Sequence, residues 1–438
     1  MKQETALDIL KLGHNVFLTG PAGSGKTFLL KLYIEYLKKN NIGVAVTAST
    51  GIAATHMNGQ TIHSWSGMGI SDTFTEEDYA RLKKRSYHKQ KFKNVSVLII
   101  DEISMLHSHQ LDIVNVICKK FKEPFSPFGG LQVILCGDFF QLPPVTGFGQ
   151  EAHFVIESQS WEEMNPKICY LEEQHRQEDR QMLKILNDIR KRSCSQKTLD
   201  LILSRQSKNI KNDITPTRLY THNINVDAIN SLELKKIKEE ARIFEMTSKG
   251  NEFVAAAAKK GCLAPETLFL KKNAVVMFVK NNFEKGYVNG TLGKVIGFDA
   301  AGMPIVKTVS GKTIVATPEK WSIEQDDNEL ASISQVPLRL AWAITIHKSQ
   351  GMTLDSVEMD LGKSFEYGMG YVALSRVRTL DGIKLLGIND MALEVNPKVY
   401  EFDKILEELS RDNVNEIVKM KILKKRELQE NFLERCEK

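Results

Sequence analysis

The octapeptide Gly20-Pro21-Ala22-Gly23-Ser24-Gly25-Lys26-Thr27 constrains this chain more than any other stretch. It satisfies GxxxxGK[ST] in full. It follows the apolar run VFLT at 16–19 and opens FLLKLYIEYLKKNN, whose Leu30, Ile34 and Leu37 recur at helical spacing. That strand–turn–helix context separates a phosphate-binding loop from a chance Gly-rich turn. The glycines let backbone N–H groups wrap an anion at the positive end of a helix. Lys26 can then reach the β- and γ-phosphates of a nucleotide, and the Thr27 hydroxyl can ligate Mg²⁺.

A strand that delivers such a loop belongs in a buried sheet. Three more apolar runs read as its neighbours: VAVT (44–47), VSVLII (95–100) and LQVILC (131–136). A helical pattern through Leu111, Val114, Cys118 and Phe121 lies between the last two. Alternation of this kind predicts an α/β fold with a parallel sheet and helices on both faces. The first such domain is expected to close near residue 180. RLYT (218–221) looks like the start of a second α/β core. LKKNAVVMFVKNN, YVNGTLGKVIGF, MPIVKTV and KTIVAT, within 271–316, read instead as short strands with turns, and Asn289-Gly290 is a hairpin signal. The α/β pattern resumes at VPLRLAWAITIHKSQGMTLD (336–355). After Asn396-Pro397 the chain reads as charged helix.

Residues 71–94 interrupt the first core. SDTFTEEDYA is acidic, and RLKKRSYHKQKFK carries seven Lys or Arg. Two readings stay open: a solvated surface excursion, or a small inserted element that touches nucleic acid or a strand junction.

Composition narrows the class. No apolar run approaches the roughly 20 residues of a membrane helix. The N-terminal stretch resembles neither a secretory signal nor a transit peptide, so a cytoplasmic location without targeting or transmembrane segment is expected. The six scattered cysteines form no CxxC pair, which favours buried thiols over disulfides or zinc. The net charge of +5 is compatible with a polyanionic partner without establishing one.

Four apolar residues in VLIIDEIS carry Asp101 to the C-terminal end of its strand, beside the loop. Asp101 is the candidate second ligand for Mg²⁺, and Glu102 is placed to polarise an attacking water. GDFFQLPPV (137–145) leaves the next strand with one uncharged amide. Gln141 can bond a γ-phosphate or the water without adding charge beside the metal, and Pro143-Pro144 stiffen the chain just beyond it. A sensor at Gln141 joined to a rigid transmitter is the resulting expectation. Arg176 in LEEQHRQEDR and Arg376 in YVALSRVR are candidates to meet charge on a transferring phosphoryl group. Arginines from the second core would place ATP in a cleft between two cores.

Hydroxyl and imidazole groups cluster at matching strand ends. Thr50 and Gly51 lie in TASTGIAA, His63 and Ser64 in TIHSW, and Thr221, His222 and Asn223 in THNINVDAIN. Thr345, His347, Lys348 and Ser349 lie in ITIHKSQG. Such groups suit a single-strand path of phosphate and base contacts. Trp65 reads as core, and Lys348 can serve either the strand or the nucleotide.

Together GPAGSGKT, TASTGIAA, TIHSW, LIIDEISM, FGGLQVILCGDFFQLPPV, LEEQHRQ, PLRLAWAITIHKSQGMTLD and GYVALSRVR, spanning 20–378, are similar to the PIF (petite integration frequency) family of DNA helicases. These are superfamily 1B enzymes close to RecD-like proteins. The resemblance implies two RecA-like P-loop domains with parallel sheets. Domain 1A would be 1–180, with 71–94 as insertion 1B. Domain 2A would be 181–230 plus 335–395. Residues 231–334 would form 2B with an SH3-like β part, and 396–438 a C-terminal helical segment. It implies ATP and Mg²⁺ as cofactors, with Lys26, Thr27, Asp101, Glu102, Gln141, Arg176 and Arg376 in the roles above. Gly20, Gly23, Ser24, Gly25 and Gly351 would join them around the nucleotide, Gln3 would read adenine, and Pro143 would lie on the strand path. It further implies 5′-to-3′ movement on single-stranded DNA and unwinding at single/double-strand junctions. Activity on G-quadruplexes and RNA–DNA hybrids is also implied. The expected protein is a monomeric minimal core of bacterial or phage type, with no membrane partner. Two other readings remain: an RNA helicase or a translocase that strips proteins from single strands without efficient unwinding, and a nucleotide-gated binding protein. The intact Glu102 weighs against the last, since a pure switch needs no water-activating acid.

Overall fold

The computed structural model of the protein describes residues 1–69, 73–84, 86–146, 151–176, 179–206, 208, 210, 214–221, 226–282, 284–325 and 328–437. Its first sheet is built from short apolar strands, Val16–Thr19, Val44–Ala48, Val97–Asp101, Gln132–Cys136 and Lys167–Tyr170, with almost every position buried. Continuous burial is what a strand covered on both faces requires. With the two-residue strand Gln60–Thr61 they form a six-stranded sheet. Its spatial order is Gln60–Thr61, Val44–Ala48, Val97–Asp101, Gln132–Cys136, Val16–Thr19, Lys167–Tyr170, and every pairing is parallel. Val97–Asp101, Gln132–Cys136 and Val16–Thr19 are therefore consecutive neighbours. The segments that leave their C-terminal ends, at 102, 137 and 20, share one edge.

The second parallel sheet has the order Ala343–Thr345, Thr217–Tyr220, Val357–Leu361, Ile383–Ile388. Between Thr217–Tyr220 and Ala343–Thr345 the chain builds antiparallel sheets. One has five strands: Thr313–Val315, Pro304–Thr308, Leu292–Phe298, Val275–Phe278 and Leu338–Leu340. All four segments expected within 271–316 are strands of it. The hairpin reading of Asn289-Gly290 needs correction, because Val275–Phe278 and Leu292–Phe298 are joined by the longer loop 279–291. An internal bridge between Asn282 and Tyr287 turns that loop. Gly290, at φ 95°, closes it by donating its N–H to Phe278 O at 2.8 Å.

Three packing relations were not evident from local pattern. First, helix Glu252–Gly261 lies on helix Gly51–His56, so closely that a Cβ on Gly51 would sit 2.7 Å from Gly261 Cα. Second, the 71–94 stretch carries helices Glu76–Lys83 and Ser86–Asn94, and it is anchored. Phe92 stacks on Phe121 with centroids 4.7 Å apart. Lys91, one of the basic residues of that stretch, is buried and donates to Trp65 O, and its burial lowers its pKa to about 7. Trp65 is core, as expected. Third, helices Pro397–Lys419 and Ile422–Glu437 return to the first core. Tyr170 N donates to Ser410 Oγ at 3.1 Å, Asn413 Nδ2 donates to Ile168 O at 3.1 Å, and Phe432 covers Gly13. All six cysteines are free thiols, three buried and three half-buried. No helix among the described residues is long and apolar enough to cross a membrane.

Candidate nucleotide and strand site

The 20–27 loop turns through glycines in the left-handed region, at φ 139° for Gly20, 88° for Gly23 and 84° for Gly25. Gly20 has no room for a side chain, since a Cβ there would meet Leu171 O at 2.4 Å. Helix Lys26–Lys39 starts directly behind Gly25. Lys26 Nζ folds back on the loop, donating to Gly20 O at 2.7 Å and Pro21 O at 3.1 Å. Ser24 Oγ is fully buried with no hydrogen-bond partner. Gln3 sits against the loop, with Nε2 3.3 Å from Ser24 O and 3.4 Å from His175 Nε2.

Around this loop lies a cleft of about 610 Å³ lined by both cores. Asp101, Glu102 and Gln141 enter from the first core, and Gln350, Gly351 and Arg376 from the second. Glu102 has a left-handed backbone, φ 51°, uncommon for a non-glycine residue and a mark of strain at a constrained site. Desolvation, and then the adjacent Asp101 charge, raise Glu102 to about 7. Lys26, Arg376 and a bond from Gln350 act in the opposite direction. Burial also raises Asp101, whose carboxylate accepts from Glu102 N at 2.8 Å.

The cations are crowded. Arg376 is 1% exposed, held by Val372 O at 2.9 Å and Ser375 Oγ at 2.7 Å. Arg176 Nη1 reaches Ser375 O at 3.3 Å. Burial, then the Arg376 charge, lower Arg176 to about 9. Burial lowers Lys26 and Arg376 as well. Gathered cations and an orphaned buried hydroxyl fit a polyphosphate. Thr27, exposed at the mouth of the loop, and Asp101 fit a hard cation that the phosphates share.

Gln141 is buried, and its main chain meets the second core directly. A Cβ on Gly368, at φ 78°, would fall 2.4 Å from Phe140 O and 2.9 Å from Gln141 O. Beneath lies a buried ionic knot that the sequence did not reveal. Arg190 Nη1 donates to Asp138 at 2.7 and 2.8 Å, and its Nη2 donates to Tyr170 OH at 2.8 Å. Tyr371 OH accepts from Ala22 N at 3.0 Å and donates to Asp138 Oδ2 at 3.3 Å. Tyr170 OH donates to Asp403 Oδ2 at 3.0 Å. Asp138 and Tyr371 fall inside GDFFQLPPV and GYVALSRVR, but nothing local marks them as partners.

Thr50 caps helix Gly51–His56 by accepting from Ala53 N at 3.3 Å, and Thr345 caps helix Ile346–Ser349 by accepting from Lys348 N at 3.2 Å. Both follow strand ends of their own sheets, and both hydroxyls keep a proton to donate. His63 and His347 are half-buried with pKa lowered by burial, and Ser64 is exposed. Pro143 is half-buried, and Lys348 Nζ lies 4.0 Å from Asp227. Ser349 is fully buried and donates to Ile346 O at 2.7 Å, so it serves its own helix. Thr221 is buried; His222 and Asn223 lie outside the described residues.

A family model described as PIF1-like helicase matches residues 2–202. The ATP-dependent DNA helicase Pif1 of Psychrobacter sp. (strain PRwf-1) is 45% identical over 94% of this chain and 71% of its own length. The crystal structure of Bacteroides sp. Pif1 in complex with ADP-AlF4 superposes with TM-score 0.80 at 31% identity, covering 93% of this chain and 96% of that one. Bacteroides Pif1 bound to ssDNA, at the same identity and coverage, gives 0.64.

Proposed function

Because the chain belongs to the PIF1-like helicase family, we propose that it is an ATP-dependent DNA helicase that moves 5′ to 3′ on single-stranded DNA. The observation that carries this reading is the shared cleft. Lys26, Asp101 and Glu102 come from one core, and Gln350 and Arg376 come from the other. A nucleotide held there touches both, so hydrolysis changes how the cores meet.

In this reading Lys26 leaves Gly20 O and Pro21 O for the β- and γ-phosphates. Ser24 and the loop N–H groups take phosphate oxygens. Thr27 and Asp101 would hold Mg²⁺, which would supply neutralisation of phosphate charge. Glu102 accepts the proton of the attacking water, at a pKa that burial has moved toward working pH. Arg176 and Arg376 meet charge that develops on the transferred group, a contribution worth about 10³-fold or more in related chemistry. Gln141 reads the γ-phosphate, and the contact of its main chain with Gly368 carries the difference to the second core. Thr50, His63, Thr345 and His347 form the strand path. The resemblance extends the proposed substrates to junctions, G-quadruplexes and RNA–DNA hybrids.

The test is ATP-driven separation of one labelled duplex bearing either a 5′ or a 3′ single-stranded tail. Separation from the 5′ tail alone is expected. Separation from the 3′ tail alone would overturn the polarity. Rapid DNA-stimulated hydrolysis with no separation would replace the helicase reading with a translocase.

A further inference from the structure

Glu102 is held from two sides by segments that neighbour the strand path. Ser49 Oγ, one residue before Thr50, donates to Glu102 O at 2.6 Å. Gln350 Nε2, one residue after helix Ile346–Ser349, donates to Glu102 Oε2 at 3.0 Å. The two differ in kind. Ser49 belongs to the same core as Glu102 and fixes its backbone. Gln350 belongs to the opposite core and occupies the carboxylate oxygen itself.

An oxygen that already accepts an amide proton is a weaker acceptor for a proton from water. The amide is also half-satisfied, for Gln350 Oε1 is buried without a partner although the residue is only 7% exposed. A carboxamide fixed for architecture has both ends bonded. This one is bonded only at the end that touches Glu102. Its backbone caps the four-residue helix whose Thr345 and His347 line the proposed path, and Gly351 follows at φ 76°. Displacement of that helix moves Gln350 directly.

We propose that Gln350 is a positioning residue that restrains Glu102, and that contact of a DNA strand with helix Ile346–Ser349 withdraws it. This rests on the reading of Glu102 as the group that accepts the water proton. Hydrolysis is then slow until the second core grips a strand, and DNA stimulation of the ATPase is partly release of this one bond.

The experiment compares steady-state ATPase of the wild type, Gln350→Met, Gln350→Asn and Glu102→Gln, each without DNA and with saturating oligo-deoxythymidine. Gln350→Met keeps length and removes the donor. It is expected to raise kcat without DNA by about tenfold, the size of a modest coupling between sites. The DNA-saturated kcat should rise much less, so the stimulation ratio falls. Gln350→Asn, which shortens the reach, should lie between, and it keeps the test alive if the Met variant does not fold. An unchanged or lower DNA-free kcat in both variants overturns the inference. Glu102→Gln separates the two failures: if it hydrolyses ATP like the wild type, the assignment of Glu102 falls first. If it is inactive while both Gln350 variants leave the DNA-free rate unraised, only the restraint falls.

Discussion

The two parallel sheets face one cleft with different equipment. The first brings the glycine loop and its lysine from one strand and both acids from another, with the strand that leads to Gln141 between them. Among the described residues the second brings no phosphate loop. It contributes Arg376, pinned by Val372 O and Ser375 Oγ, and Gln350, aimed at an acid of the other sheet. In the proposed reading the first core binds the nucleotide and supplies the acid that activates water, and the second supplies the cation that meets the developing charge. On that reading the arginine of the second core serves turnover and not affinity, and that division can be attacked.

The largest expected effect separates the two roles. Arg376→Ala should lower kcat by about 10³-fold while leaving the ATP KM near wild type. Lys26→Ala should lose nucleotide binding as well. Isothermal titration with a non-hydrolysed analogue, beside the kinetics, decides it. Equal loss of affinity in both variants would break the division.

The cores are also joined by the buried knot, and its removal tests whether the joint is structural. Asp138→Ala leaves Arg190 buried without its carboxylate, and should cost about 3–5 kcal/mol of stability in denaturant unfolding. A loss under about 1 kcal/mol would mean that water or Asp403 replaces the partner. Tyr371→Phe is a finer probe. It deletes the hydroxyl shared by Ala22 N and Asp138, and should raise the ATP KM by about fivefold, the equivalent of one buried hydrogen bond. A fall in kcat at constant KM would instead assign that hydroxyl to the chemistry.

The smallest effect is a pH dependence at the contact between the first core and the antiparallel insertion. Asn289 Nδ2 lies 3.1 Å from His56 Nε2, and desolvation, then the Lys31 charge, lower His56 to about 4. The folded pKa is depressed, so the unfolded chain takes the proton first as pH falls. Stability from this site is complete above about 6.5 and declines from there toward 4. Thermal midpoints at pH 7.5 and 5.5 should drop further in the wild type than in His56→Gln, which keeps an acceptor but does not titrate. Equal drops would remove His56 from the account.

The parts of the molecule legible in the sequence are the local ones. Strands such as VFLT and LQVILC announce themselves by continuous apolar character, and the 20–27 loop by glycines at fixed spacing. Lys167–Tyr170 escaped because four residues with a lysine at one end make a weak run. Helix Glu252–Gly261 was not read from the sequence, and its docking on Gly51 leaves no local mark, because two glycines carry no side-chain signal. Gln350 and Ser349 show the limit best. They are adjacent polar residues in one motif, yet the first reaches across the cleft while the second turns inward. Orientation at a helix end is set by tertiary packing, and sequence spacing does not encode it.

The return of helix Pro397–Lys419 to the edge strand Lys167–Tyr170 bears on how the molecule is made. Tyr170 and its partner Ser410 are 240 residues apart. At about 5–20 residues per second of synthesis, that edge waits roughly 12–50 seconds for its cover. In that interval the edge strand lies without the helix that covers it in the finished chain.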